Sequence, residues 1–329
     1  MTTLKSSGSN KNNKIICLRP ESDFEEFGEV APSHFNVIYL SPNDRSLIRK
    51  ASDASVLLIP AVGPKISNDI FSKTSLKMVQ VTGAGIDRLD QDFCARNNIK
   101  VCNVLGASAK SVAEYCIFAA LTISRRLSKT TDEILLGNYE ELRGNIIQDR
   151  MFSLSGLTLG VIGFGSIGQE TAKMFSALGC QIQYYDPSDP KVAENLSQIA
   201  VKNGKEELLR TSDIISIHVP LIDQTKNLIS MQEFSLMKKT SILLNASRGG
   251  VVDEHALSQA IQDKKIKGAA IDVFTSEPPE KNNPLLNLPD EFRDNIILTP
   301  HIGGITAQSW SELFSRSWIN IQRFFDGEE

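Results

Sequence analysis

Three side chains in the second half of the chain could do chemistry together. Arg248 lies in Leu-Asn-Ala-Ser-Arg-Gly-Gly, Glu277 in Asp-Val-Phe-Thr-Ser-Glu-Pro-Pro, and His301 in Thr-Pro-His-Ile-Gly-Gly. A guanidinium is a planar fork that can grip a carboxylate and the carbonyl oxygen next to it, a match that lysine cannot reproduce. An imidazole can give up or take a proton near neutral pH, and a facing carboxylate favours its charged form and raises its pKa. Together they could bind a carboxylate-bearing substrate, donate a proton to an oxygen as it becomes an alkoxide, and recover that proton in reverse. Such a set needs a hydride carrier beside it.

A site for that carrier is legible upstream, in Gly163-Phe164-Gly165-Ser166-Ile167-Gly168. The apolar run Leu159 to Ile162 precedes it, and Gln169 to Leu178 has helical spacing with Gly179 as its stop. In a strand-turn-helix of this kind the first glycine makes the bend and the second lets the backbone approach a pyrophosphate. The third allows close helix packing. The Ser166 and Ile167 amides would point at the anion. Asp186 lies near the spacing at which a carboxylate accepts from the adenosine ribose. A carboxylate there repels a 2′-phosphate, and no arginine occurs in Pro187-Ser188-Asp189-Pro190, so NAD is expected over NADP.

Elements must hold these residues at one place. From Lys14 to Val104, apolar runs at Lys14–Leu18, Val37–Leu40, Val56–Pro60, Met78–Thr82 and Lys100–Val104 alternate with helical stretches. They predict a small parallel α/β unit. Lys110 to Arg125 changes period, with Val112, Ala113, Cys116, Ile117, Ala120 and Ile123 on one stripe, and predicts a long amphipathic helix. After a less patterned stretch, Asn138 to Leu154, six further runs predict a doubly wound sheet. These are Leu159–Ile162, Gln181–Tyr185, Asp213–His218, Ser241–Asn245, Lys267–Asp272 and Asn295–Thr299. Thr306 to Phe325 is helical again and could pack back on the first unit, which would make that unit discontinuous.

Composition sets outer bounds. A chain of 329 residues suggests two domains. A net charge of -4 with interspersed signs gives no broad positive field, so nucleic acid is not an expected partner. Cys17, Cys94, Cys102, Cys116 and Cys180 show no paired metal-type spacing and read as reduced, mostly buried thiols; no metal is expected. No apolar run reaches about 18 residues, and the polar first thirteen residues read as a frayed terminus, so a cytoplasmic protein away from membranes is expected.

With these motifs in order, the chain resembles the D-isomer-specific 2-hydroxyacid dehydrogenase family, most of all its phosphoglycerate and glycerate dehydrogenase branch. The likeness runs from about Lys14 to Phe325. It rests on Leu159 to Gln169, His218-Val219-Pro220-Leu221 with Thr225, Asn245 to Glu254, Ala269 to Pro279, and Thr299 to Gly304.

The resemblance implies a flavodoxin-like substrate domain, residues 1–107 plus 301–329, into which a Rossmann NAD-binding domain, 108–300, is inserted. It implies a cleft between them, hinges near Gly106 to Ser108 and Pro300 to Gly304, and a homodimer built on the nucleotide domains. The expected activity is interconversion of a small D-2-hydroxy acid and its 2-keto acid with NAD. Arg248 would bind substrate, His301 shuttle the proton and Glu277 tune His301. Because the chain ends after its last helix, the regulatory domain of some phosphoglycerate dehydrogenases is expected to be absent.

Further cofactor contacts implied are His218, Val219, Pro220, Thr225, Ala246, Arg248, Asp272, His301 and Gly303, with Asp272 accepting from the nicotinamide carboxamide and the Ala246 and Arg248 backbone touching the same half of the cofactor. On the substrate side, Ala84 and Gly85 in Thr82-Gly83-Ala84-Gly85-Ile86-Asp87 would offer amides to the carboxylate. Lys110 stands where phosphoglycerate dehydrogenases can carry an arginine facing a phosphate. It keeps the charge without the fork, so an anionic tail is plausible. Leu105 replaces a common family proline. Two other readings share the scaffold: an NAD-sensing corepressor-like binding protein, and an enzyme with another substrate such as phosphite or formate.

Overall fold

The computed structural model describes residues 13–149, 151–188 and 190–328. The segment read as frayed falls, apart from Asn13, outside the described residues. The chain divides into two compact units, one built from residues up to 107 with those from 306 onward, the other from 108 to 305.

The first unit has five strands, β1 Lys14–Cys17, β2 Asn36–Tyr39, β3 Val56–Pro60, β4 Met78–Thr82 and β5 Lys100–Cys102. All pair in parallel in the order β2-β1-β3-β4-β5, the flavodoxin-like arrangement. β3 and β4 are buried on both faces, as expected of central strands covered by helices. The final helix, Ala307–Asp326, lays Leu313, Phe314, Trp318, Ile321 and Phe325 against Phe24, Phe35, Val56 and Met78. Burying a side chain such as Phe314 contributes about 1.5–3 kcal/mol. The guanidinium of Arg19 sits 4.7 Å over the Trp310 ring and pairs with Asp23, which fastens the same helix.

The second unit has seven parallel strands: β6 Thr158–Ile162, β7 Gln181–Tyr185, β8 Ala200–Lys202, β9 Ile214–Ile217, β10 Ile242–Asn245, β11 Gly268–Ile271 and β12 Ile296–Leu298. Their order, β12-β11-β10-β9-β6-β7-β8, is the Rossmann order with one strand added beyond β11. The helix Ala109–Arg125 buries Val112, Ala113, Cys116, Ala119, Ala120 and Ile123, and packs on the helix Ser166–Ala177.

Three expectations are corrected. The stretch 138–154 contains a helix, Tyr139–Gln148, preceded by another at Thr130–Leu135. Neither buries a residue, so no apolar stripe marks them in the sequence. β8 was missed because it is a three-residue edge strand whose side chains are mostly exposed. The return to the first unit falls after residue 305, not at 301. Residues 301–303 are tied into the second unit: the His301 amide donates to the Asp272 carbonyl at 2.8 Å, and the Ile302 and Gly303 amides donate to the Asp272 carboxylate.

Candidate active site

In a doubly wound sheet, ligands bind outside the carboxyl ends of the strands, where the strand order reverses. In the second unit that point lies between β6 and β9. Gly163 follows β6 and adopts φ of +90°, which glycine takes without strain. A Cβ there would stand 2.5 Å from the carbonyl oxygen of His218, just past β9, so these two segments approach too closely for any side chain at 163. A Cβ on Gly168 would stand 2.1 Å from the Gly163 carbonyl oxygen, the packing requirement expected of the third glycine. A Cβ on Gly165 would meet nothing within 4 Å. That open space, at the N-terminus of the helix Ser166–Ala177, fits a pyrophosphate against bare backbone.

Asp186 follows β7. Its Oδ2 accepts from the Phe164 amide at 2.8 Å, and its Oδ1 accepts from the Ser188 amide and hydroxyl. Burial raises its pKa, but these bonds and Lys202 outweigh burial and hold the carboxyl below its ordinary range. An ionised acceptor is therefore anchored to the glycine turn, as NAD ribose recognition requires.

Three strands deliver the reactive trio. β10 ends at Asn245, whose Oδ1 accepts from the Ser247 amide and hydroxyl; its Nδ2 donates to the Arg248 carbonyl, shaping the turn that carries Arg248. In this structure Arg248 Nη1 donates to the Ser247 carbonyl at 2.7 Å. β11 leads to Asp272 and on to Glu277, and β12 leads to His301.

His301 Nδ1 lies 2.8 Å from Glu277 Oε2, while Glu277 Oε1 accepts from the Phe274 amide at 3.1 Å. Burial raises the Glu277 pKa, but the His301 hydrogen bond and charge, the Phe274 amide and Arg248 together lower it on balance. The arrangement fixes the imidazole by one nitrogen and leaves Nε2 as the atom that can exchange a proton with substrate. The trio expected from sequence is thus gathered in the second unit at the carboxyl ends of neighbouring strands.

The other expected contacts vary. Asp272 is buried and engaged: Oδ1 accepts from Thr299 Oγ1 at 2.6 Å and from the Ile302 amide, and Oδ2 accepts from the Gly303 amide. A carboxylate oxygen carries two lone pairs, so Oδ2 retains one for a carboxamide. Gly303 is confined, because a Cβ would stand 2.9 Å from that oxygen. His218 directs Nε2 at Ser216 Oγ, 2.8 Å away, and its Nδ1 is buried without a hydrogen-bond partner in the protein. Burial lowers its pKa to about 3, so the ring is neutral. Thr225 Oγ1 donates to the Pro220 carbonyl and accepts from the Ile222 amide, bracing the loop that begins at Val219. Ala246 is partly buried and Lys110 is exposed in the first turn of its helix. In the first unit, Ala84 and Gly85 follow β4, and Asn103 Nδ2 donates to the Ala84 carbonyl at 2.6 Å.

Sequence reasoning missed the residues behind these. Tyr115 Oη lies 2.7 Å from Thr299 Oγ1 and extends the Asp272 network. Glu254 accepts from the Thr275 amide and from Asn283. These partners are 21, 29 and 184 residues apart in the chain and nothing local announces them; Asn245 alone, two residues before a serine, carried the signature of an Asx turn.

The profile described as the D-isomer specific 2-hydroxyacid dehydrogenase NAD binding domain matches residues 117–303, more than half of the 329. A D-3-phosphoglycerate dehydrogenase of Methanocaldococcus jannaschii is 38% identical over 287 residues, which is 87% of this chain and 51% of the relative. The chain thus spans about half the length of that relative. A hydroxypyruvate reductase of Thermotoga maritima is 35% identical over 267 residues, 80% of this chain and 82% of the relative. Among solved structures, a D-lactate dehydrogenase from Aquifex aeolicus complexed with NAD and lactic acid superposes with a TM-score of 0.81. It is 28% identical, and 96% of each chain is covered. With the glycine cradle, the reactive trio and these matches on one chain, the protein belongs to the D-isomer specific 2-hydroxyacid dehydrogenase family.

Proposed function

We propose that the protein is an NAD-dependent dehydrogenase interconverting a small D-2-hydroxy acid and its 2-keto acid. The observation that carries this reading is the 2.8 Å pairing of His301 with Glu277, in the same unit as the glycine cradle. Bound NAD would supply the hydride acceptor, held by the 163–168 turn and Asp186. Arg248 grips the substrate carboxylate and polarises the C2 oxygen. His301 Nε2 gives a proton to that oxygen as the keto acid is reduced, and takes it back in oxidation. Glu277 holds the imidazole by Nδ1 and stabilises the imidazolium when it forms.

Formate oxidation needs no proton shuttle at carbon, so the paired Glu277 and His301 favour a hydroxy acid. In the first unit, Ala84 and Gly85 are the proposed amide donors to the carboxylate. Lys110 is the proposed contact for an anionic tail. The proposal includes a homodimer: Leu135, which ends the helix Thr130–Leu135, and Leu136 after it are 80% and 73% exposed, Tyr139 opens the next helix, and neither helix buries a residue. It also includes a cytoplasmic location, supported by five free cysteines, four of them buried.

The test is NADH oxidation over glyoxylate, pyruvate, hydroxypyruvate, phosphohydroxypyruvate and phosphonopyruvate. We expect turnover of at least one acid, abolished in His301→Ala with NADH still bound. Full turnover by that variant sinks the reading. NADH binding with no turnover of any acid in the wild type points to the cofactor-sensing alternative. A preference for the tailed acids that disappears in Lys110→Ala supports the tail contact, and equal rates with and without the tail remove it.

A further inference from the structure

Glu254 is the first residue of the helix Glu254–Gln262, whose N-cap is the neighbouring Asp253. The helix is therefore capped without it, and the Glu254 side chain is turned to another purpose. Its Oε1 accepts from the Thr275 backbone amide at 2.7 Å, and its Oε2 accepts from Asn283 Nδ2 at 2.7 Å. Thr275 and Asn283 flank the segment that holds Glu277. The amide just before Thr275, that of Phe274, donates to Glu277 Oε1. Two consecutive amides of one dipeptide thus end on two carboxylates, one belonging to the reactive trio and one to the helix.

The same dipeptide touches the Arg248 turn. A Cβ on Gly249 would lie 1.8 Å from the Phe274 carbonyl oxygen and 2.5 Å from the Thr275 nitrogen, so backbone packs on backbone there. Glu254 lies six residues after Arg248 in the chain, and its Oε1 ends on the same Thr275 nitrogen that Gly249 packs against. Asn283 is buried, and its Oδ1 accepts from the Leu285 amide, so the far end of the Glu277 loop is fixed as well.

We propose that Glu254 is a positioning residue: through Thr275 and Asn283 it sets the register of the Glu277 loop against the Arg248 turn. The imidazole that Glu277 orients is thereby placed relative to the guanidinium that grips the substrate. The proposal deepens the dehydrogenase reading and rests on it for its kinetic consequences. Glu254 touches neither substrate nor cofactor in this scheme. Its loss leaves Arg248 able to bind the acid while His301 and Glu277 drift from the productive geometry. The kinetic signature is a fall in kcat with little change in KM for the keto acid.

The test exploits the polarity of the contact. Glu254→Gln keeps an acceptor for Thr275 but turns an amide NH2 toward the NH2 of Asn283. Asn283→Asp alone sets two carboxylates face to face. The double variant, Glu254→Gln with Asn283→Asp, pairs the amide introduced at position 254 with the carboxylate introduced at position 283. It restores the bond with donor and acceptor exchanged. Each single substitution is expected to lower kcat by about 10- to 100-fold while the KM and the NADH affinity hold, as for other residues that orient reactive groups from behind. The double variant is expected to recover most of the loss.

Hydrogen exchange provides a readout free of turnover: the Thr275 amide should exchange faster in Glu254→Ala than in the wild type. Wild-type kcat in Glu254→Gln, no recovery in the double variant, or unchanged exchange at Thr275 overturns the proposal. If the wild type itself turns over no keto acid, the dehydrogenase reading fails, and the exchange experiment still decides whether Glu254 holds the loop.

Discussion

A methyl group added at residue 249 has no room. The nearest atoms to a Cβ there are the Phe274 carbonyl oxygen at 1.8 Å, its carbon at 2.0 Å and the Thr275 nitrogen at 2.5 Å, all of them backbone. Real Cβ contacts almost never fall below 3.0 Å, so relieving the first requires a shift of at least 3.0 minus 1.8, or 1.2 Å. The Arg248 turn and the Phe274 to Glu277 segment must separate by that amount, because no flexible side chain can yield in their place. A displacement of about 1 Å between reacting groups costs on the order of 100-fold in rate, about 2.7 kcal/mol of barrier. Overpacking adds about 1–3 kcal/mol of destabilisation. Gly249→Ala is therefore expected to lower kcat/KM for the best keto acid by about 100-fold or more. The NADH affinity should fall far less than kcat/KM, since the 163–168 turn and Asp186 lie on other strands and only the nicotinamide-side contacts at Ala246 and Asp272 adjoin the displaced segments. The assay is steady-state NADH oxidation, with circular dichroism and thermal unfolding to establish that the variant is folded. Gly144→Ala, at a helix position where a Cβ meets nothing within 4 Å, serves as a control for glycine replacement as such. A folded Gly249→Ala enzyme with kcat/KM within about twofold of the wild type would refute the claim that the two segments are locked in register.

Three further outcomes follow from the same geometry. Gly165→Ala places a methyl in open space at a φ of -74° that alanine adopts freely, so thermal stability should hold while NADH affinity falls; titration of NADH fluorescence measures it, and unchanged affinity counts against pyrophosphate at that glycine. His218 is held neutral, its pKa lowered from 6.5 to about 3 by burial, so the unfolded chain binds the extra proton between those values. Its contribution to stability is complete above the unfolded pKa and is lost as pH falls toward the folded one, about 3 kcal/mol between about pH 7 and pH 4. Urea unfolding of His218→Gln should show a correspondingly weaker pH dependence than the wild type, and identical slopes would remove His218 as the cause. The proposed dimer is checked by sedimentation: Leu135→Asp with Leu136→Asp should convert it to a monomer, and a surviving dimer would place the interface elsewhere.

What the sequence made legible follows from what is local. Strands β3, β4 and β7 match their predicted runs to the residue, because interior parallel strands are mostly buried and turn signals bound them. The glycine turn and its helix were readable because Gly163 and Gly168 are demanded by backbone approach, a requirement carried by residue type alone. The reactive trio stood out through its flanking glycines and prolines. Helix Tyr139–Gln148 did not, since it presents no buried stripe to give a period. The bonds from Glu254 to the 275–283 loop and from Tyr115 to Thr299 were hidden for another reason. A hydrogen bond between residues distant in sequence depends on how strands are ordered, and no short pattern encodes that. The boundary near 301 was placed too early because the Asp272 carboxylate, not chain composition, decides where the second unit lets go.

His301 has φ of +56°, a left-handed conformation that costs a residue with a Cβ about 1–2 kcal/mol and costs glycine nothing. The Asp272 bonds to the neighbouring amides impose it. Glycine at 301 would relieve that cost but leave Glu277 without its imidazole partner, so any variant that gained heat tolerance there would lose the proposed proton donor. A library screened for survival and for turnover in parallel would record that conflict at this one position, as two opposed preferences for a single codon.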